Sequence, residues 1–247
     1  MDKPDLQVGM VAVRRADLLG KTLESFAKNL FCNFNVTACY INIDPMFGDE
    51  QAHDQAVACA RHFFPKAVIR APETPSFGAA VKWVWSQFSP GLALHLEDDW
   101  ELTQPIYPQD VLPKLQPGYG AVSLCGNHPK WYKRRPYLWV GQRRRGLFPV
   151  GTRKIPAMGT SPKFIDGALA HRLAQMMDPD LDPEKQMLPW INPAFSEIFA
   201  DNKCAFLDKS GTRQYGVMVE LGRAWREARH IEKTVVDGKS IWVVTPK

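Results

Sequence analysis

Three consecutive acidic residues, Glu97, Asp98 and Asp99, directly follow the apolar run Gly91 to Leu96 (GLALHL). Carboxylates held rigidly just past a buried strand repel one another unless a cation lies among them. Oxygen ligands of this kind suit Mg2+ or Mn2+, which would bridge two phosphates and stabilise the charge on a departing diphosphate. A lone acidic triplet is usually a solvated loop; its place at a strand end is what turns it towards chemistry. Two further strand ends carry polar residues of the same sort, Arg14 and Arg15 after the first and Asp44 after the second.

A second constellation is basic. Between Lys130 and Lys154 there are nine Lys or Arg and no Asp or Glu. The formal net charge of the chain is +5. Without this stretch, 22 basic residues would face 26 acidic ones, so all the excess positive charge is concentrated there. Lys130, Lys133, Arg134, Arg135, Arg143, Arg144 and Arg145 are interleaved with aromatics, Trp131 and Trp139 among them. Cations track phosphates and exposed aromatics stack on bases, which is what a nucleic-acid groove requires. Basic aromatic loops also bind anionic glycolipid surfaces or a diphosphate, and a solvated loop is the plainest alternative.

The elements that must position these residues are legible in the first hundred positions. Gln7 to Val13, Val36 to Ile43, Lys66 to Arg70 and Gly91 to Leu96 read as short buried strands. Helices fall between them: one capped by Asp17 with Leu19, Leu23, Phe26 and Leu30 on one face, one over Gln51 to Phe64, and one from Ser76 to Phe88. Alternating strand and helix means βαβ units, an α/β class and a mostly parallel, Rossmann-like sheet flanked by helices. Ligands of such sheets bind beyond the carboxyl ends of the strands. After Trp100 the alternation stops; one more strand is expected at Ala121 to Leu124, a helix at Phe164 to Met177 and a hairpin at Val235 to Val244. Residues 1–247 read as a single domain, with 1–103 binding a ligand and 104–247 forming an elaborated second half.

Three segments resemble family 2 glycosyltransferases. Arg15 to Phe26 (RADLLGKTLESF) is similar to their "NRPxxLxxTLESL" opening, and Ser76 to Trp83 (SFGAAVKW) to their "NxGxxxAxN" helix start. LALHLEDDW, Leu92 to Trp100, is similar to their "DxD" strand end. The resemblance covers residues 7–103 and implies the GT-A fold, a nucleoside-diphosphate sugar (a UDP-sugar being the commonest) and Mn2+ or Mg2+. It implies that Asp44 contacts the nucleoside, that Asp99 binds the metal, and that Glu97 or Asp98 contacts ribose or a metal-bound water. Arg14 stands where the family has Asn, and Glu97 where it has the first Asp, which leaves the division of labour between Glu97 and Asp99 open. Gly78 and Ala79 would let backbone N–H groups approach the donor, with close helix packing the equal alternative.

For an inverting transfer a carboxylate must take the acceptor's proton. Glu184 is the first candidate, Asp182 the second and Asp166 the third; an ordinary first-turn helix acid explains Glu184 nearly as well. His230 is the candidate for a late metal ligand, with a surface helix His the alternative. Segments around Arg213 and Arg226 would form a lid, with Trp225 read as core and His95 as a core or sheet-face residue. The basic stretch then points to an acceptor in double-stranded DNA, a hydroxymethylated pyrimidine as in bacteriophage DNA-modifying glycosyltransferases, with a glycan or lipid-linked saccharide as the alternative. A flipped base would be required.

Composition bounds the rest. Five scattered cysteines without a CxxC pair suit reduced thiols in a cytoplasm, the host's for a phage protein. No apolar run approaches the ~20 residues of a membrane span, and the N-terminus lacks a signal-peptide core. A nucleotidyltransferase would show a Gly-rich, Lys-containing loop after the first strand, and none is present. A non-catalytic nucleic-acid-binding protein is the remaining class.

Overall fold

The computed structural model describes residues 2–125, 138–145, 148–188, 191–207, 216–236 and 239–244. Its first half runs β1 (Asp5–Val13), α1 (Ala16–Asn29), β2 (Asn35–Asp44), α2 (Glu50–Phe63), β3 (Val68–Arg70), α3 (Phe77–Ser86), β4 (Leu92–Glu97) and β5 (Trp100–Leu102). Then come α4 (Pro108–Val111), β6 (Tyr119–Ser123), β7 (Leu138–Arg145), β8 (Phe148–Pro156), β9 (Lys163–Asp166), α5 (Gly167–Met176), α6 (Pro183–Gln186) and α7 (Pro193–Asp201). The chain continues through β10 (Lys203–Phe206), β11 (Met218–Glu220), α8 (Gly222–Glu227), β12 (Ile231–Val236) and β13 (Lys239–Val244).

Seven strands form the central sheet in the order β10-β6-β9-β4-β1-β2-β3. All neighbouring pairs are parallel except those of β9, which runs antiparallel to both β4 and β6. Both faces are covered. Leu6, Val8, Met10 and Ala12 of β1 join the layer of Leu19, Leu23 and Phe26, while Val11 joins the layer of Val84, Trp85 and Phe88. Burial on both sides explains why β1 reads as an unbroken apolar run. The two halves divided at residue 103 share this one sheet, since β6, β9 and β10 complete what β1 to β4 begin.

The helices expected in the first half are present, with one change at a cap. Arg15, not Asp17, precedes α1, and no side chain caps it; Asp17 lies in the first turn, where its charge favours the helix dipole. Ser76 caps α3, its Oγ accepting from Ala79 N at 3.1 Å. A larger change falls on the helix expected at Phe164 to Met177. Its first residues are instead β9, with Asp166 capping α5 after it. Phe164 and Ile165 point into opposite core layers, a two-sided burial that four residues cannot announce in sequence.

Three small antiparallel pairs lie outside the central sheet: β5 with β11, β7 with β8, and β12 with β13. The expected hairpin over Val235 to Val244 is thus longer, and its turn residues Asp237 and Gly238 lie outside the described residues. Among the described residues no helix is long and apolar enough to cross a membrane.

Candidate active site

The parallel register sets the site. Val13 of β1 lies opposite Asp44 of β2, and Val11 lies opposite Glu97 of β4. Arg15, Asp44 and the acidic triplet therefore emerge along one edge of the sheet and line one cleft of about 610 Å3. Thr160, Ser161, Glu184, Glu220 and Arg226 from the second half close its other side.

Motif residues of α1 hold the triplet in place. Thr22 Oγ1 donates to Asp98 O at 2.8 Å, and Ser25 Oγ accepts from Leu102 N at 3.0 Å. Asp98, expected to reach the ligand, has both carboxylate oxygens engaged by protein. Oδ1 pairs with Arg15 Nη2 at 2.6 Å, and Oδ2 accepts from Val13 N at 3.0 Å. It fastens the end of β1 to the turn after β4.

Glu97 and Asp99 are differently placed. Glu97 Oε2 accepts from Trp100 Nε1 at 3.0 Å, and Asp99 Oδ2 faces Arg15 Nη2 at 3.3 Å and Arg226 Nη1 at 3.6 Å. Their other oxygens, Oε1 and Oδ1, have no hydrogen bond among the described residues. Burial, then the neighbouring Asp99, pushes the Glu97 carboxyl up to about 8. Burial and Asp98 push Asp99 up to about 6, against the pull of Arg15 and Arg226. Burial is the larger cause at both residues, and like-charge repulsion within the triplet adds to it. Among the described residues no three His, Cys, Asp or Glu side chains form a metal cage. Two carboxylates with free oxygens do fit a hard cation that completes its shell with phosphate and water.

A pH dependence follows. A carboxyl raised in the fold contributes stability that is present below its unfolded value and lost as pH rises through the folded one. His95, held neutral by burial, works the other way below 6.5. Metal-free protein should therefore lose melting temperature, by a few degrees, between pH 6.5 and 8.5. Glu97→Gln should flatten that slope; a slope identical in the variant would show that Glu97 does not cause it.

Glu220 and Arg226 went unnoticed or were only loosely placed in sequence. The pairing of β11 with β5 sets Glu220 opposite Trp100. Arg226 Nη2 then meets Glu220 Oε1 at 2.9 Å. Leu221 N donates to Asp99 O at 2.8 Å, and the next residue must be glycine. A Cβ on Gly222 would lie 1.9 Å from Asp99 Oδ2.

At the far end of the cleft Asp44 is buried, accepting from Asn42 Nδ2 at 2.7 Å and Ser76 N at 3.1 Å. Arg70 Nη1 donates to Asn42 Oδ1 at 3.1 Å. Burial raises the Asp44 carboxyl, and the two hydrogen bonds and Arg70 oppose it. Phe47 on the rim has φ 64°, a conformation that costs a bulky residue about 1–3 kcal/mol unless its surroundings enforce it. Trp225, edge-on at 5.4 Å, and the Arg15 guanidinium, 5.6 Å from the ring, pack against it. Trp225, read as core, is only half-buried and lies between Arg15 and Arg229.

Glu184 enters from α6. Its Oε1 accepts from both Thr160 N and Thr160 Oγ1, each at 3.0 Å, and Oε2 has no hydrogen bond among the described residues. Asp182 does not line the cleft: it caps α6, accepting from Glu184 N at 3.0 Å and Lys185 N at 3.1 Å. Asp166 caps α5 opposite Leu92, at the wrong end of β4.

Other expected residues lie elsewhere. Gly78 and Ala79 do not line the cleft; a Cβ on Gly78 would meet Leu181 O at 2.3 Å, so the glycine serves close packing against the loop before α6. Arg14 turns away to Glu50 at 2.7 Å. His230 is exposed at the end of α8 and is not among the cleft's lining residues, because the chain reverses there into β12. His95 is a core residue, its Nδ1 accepting from Trp85 Nε1 at 3.0 Å. Lys130, Trp131, Lys133, Arg134 and Arg135 lie outside the described residues, and Trp139, Arg143, Arg144 and Arg145 fall on β7.

Two solved structures share this architecture. TarS 1-349 of S. aureus superposes with a TM-score of 0.53 at 14% identity, over 83% of this chain and 59% of that one. The mannosyltransferase PcManGT of Pyrobaculum calidifontis, in complex with GDP-Man and Mn2+, gives 0.51 at 11% identity, over 93% and 61%. The fold is GT-A. At such identities the likeness is one of fold, and this chain spans about three-fifths of each of these two. By sequence, no protein family and no curated protein matches it.

Proposed function

We propose that this GT-A protein is a metal-dependent glycosyltransferase moving a sugar from a nucleoside-diphosphate donor to an acceptor hydroxyl. The observation that carries the proposal is convergence: Asp44, the Glu97–Asp99 pair and Glu184 line one cleft although they come from β2, the end of β4 with the turn after it, and α6. Asp44 receives the nucleoside, and Asp99 with Glu97 holds Mn2+ or Mg2+. Such an ion supplies Lewis-acid stabilisation of the diphosphate leaving group. Arg226, beside Asp99 in the cleft lining, adds positive charge near the same group. Glu184 Oε2 takes the proton as the acceptor oxygen bonds to the anomeric carbon. The bond from that carbon to the diphosphate breaks, and its electron pair leaves with the nucleoside diphosphate. Attack from the face opposite the leaving group inverts the anomeric centre.

The test uses thermal stability and donor hydrolysis with Mn2+ and a panel of UDP-glucose, UDP-N-acetylglucosamine, UDP-galactose and GDP-mannose. A donor at a hundred times its Kd should add about 2.7 kcal/mol of stability, and Asp99→Ala should remove both the shift and the hydrolysis. A protein indifferent to every donor and to Mn2+ would be a binding module.

For the acceptor we propose a hydroxymethylated pyrimidine in double-stranded DNA. The nine basic residues and interleaved aromatics of the 130–154 stretch, part of which forms the β7–β8 hairpin, support it. Binding to duplex DNA should fall steeply with salt, and replacing Arg143, Arg144 and Arg145 with Ala should weaken it uniformly across sequences. No duplex binding at low salt turns the assignment to a glycan or lipid-linked saccharide.

A further inference from the structure

Beneath the cleft lies a charged residue that the reaction above does not use. Lys163 on β9 is 1% exposed. Lysine is almost never buried so completely unless its charge is matched. Across the sheet it pairs with His95 of β4 and Ser123 of β6. Around it are Glu97 from the end of β4, Glu184 from α6, Cys125 after β6 and Cys204 on β10. Burial lowers the Lys163 ammonium from its ordinary value, while Cys204, Glu184 and Glu97 act in the opposite direction.

The hydrogen bonds give this buried cation a specific task. Lys163 Nζ donates to Gly159 O. Gly159 leads straight into Thr160, whose N–H and hydroxyl both donate to Glu184 Oε1. The seat is tight: a Cβ on Gly159 would come within 3.0 Å of that same oxygen. One carboxylate oxygen is therefore fixed by a turn that Lys163 fastens from below, leaving Oε2 to the cleft. Helix α6 spans only Pro183–Gln186 and makes a short platform for a reacting group, so this anchor is what sets its orientation.

We propose that Lys163 is the positioning residue for the general base: through the Gly159–Thr160 turn it fixes Glu184 for proton transfer. This rests on the transferase reading, with Glu184 as the base.

The test is Mn2+-dependent hydrolysis of the panel donors above, with water in place of the acceptor hydroxyl and donor affinity measured by calorimetry. Lys163→Met should lower kcat about 10- to 100-fold, the scale of a misplaced catalytic group, while donor Kd stays within about twofold. Lys163→Arg should recover most of the rate. In a Glu184→Gln background Lys163→Met should cost nothing more, since positioning acts only through the base. Additive losses in the double variant, or kcat and affinity falling together, overturn the proposal as mere structural damage. Wild-type rates in Lys163→Met overturn it alone, whereas wild-type rates in Glu184→Gln overturn the assignment of the base. If Lys163→Met does not fold, Thr160→Val removes the hydroxyl half of the anchor without touching the buried charge. It should lower kcat about 3- to 10-fold at unchanged affinity, and an unchanged kcat there overturns the anchor.

Discussion

Replacing Arg15 with Met should destabilise the protein by about 3–5 kcal/mol, the range for removing one partner of a buried ion pair. Arg15 is 7% exposed, with Nη2 at 2.6 Å from Asp98 and 3.3 Å from Asp99. Without the guanidinium, two adjacent carboxylates remain buried with, among the described residues, only Val13 N on Asp98 and the more distant Arg226 near Asp99. The stacking on Phe47 and Trp225 disappears as well. Urea unfolding at pH 7 should show a lower midpoint at unchanged slope. Arg15→Lys should restore only part of the loss, because an ammonium lacks the planar guanidinium that lies against two rings while one nitrogen reaches both acids. An unfolding free energy within about 1 kcal/mol of wild type would mean that Asp98 and Asp99 do not depend on Arg15 for their charge balance.

The second large effect is kinetic. Glu184→Gln should reduce kcat for transfer or donor hydrolysis by about 10²–10⁴, the contribution of a positioned general base. Glutamine can keep the bonds from Thr160 through its amide oxygen, so fold and donor affinity should be preserved. What it loses is the proton acceptor at the cleft-facing Oε2. The two variants separate stability from chemistry: Arg15→Met should unfold early, and Glu184→Gln should bind donor and stall. Full activity in Glu184→Gln would move the base to another residue of the cleft.

Glu184 and Asp182 show how far sequence spacing can carry. Both carboxylates stand at a plausible distance after β4, and residue type and spacing put Glu184 first and Asp182 second with little to separate them. The structure gives each a distinct task two residues apart: Asp182 closes the open N–H groups of α6, and Glu184 projects into the cleft. Gly78 is a similar case. Its type was equally consistent with ligand approach and with packing, and the Leu181 carbonyl decides for packing.

The amino-acid sequence by itself determined the first four strands and three helices of the central sheet, and with them the edge where Arg15, Asp44, Glu97 and Asp99 emerge. Those elements are written in local hydrophobic period and in caps such as Ser76, and parallel strands send their carboxyl ends to one side whatever the rest of the chain does. Even the Thr22 and Ser25 positions of the α1 motif carry a local meaning, since one helix face binds the turn that follows β4. Only the tertiary structure decided which acids keep free oxygens, which partners neutralise them and that Glu184, not Asp182, lines the cleft. Glu220 and Arg226 reach Asp99 because β11 pairs with β5, and Lys163 lies beneath Glu97 and Glu184 because β9 inserts antiparallel between β4 and β6. Such contacts join residues distant along the chain. Their strength depends on burial and on which backbones become neighbours, and no local period records either.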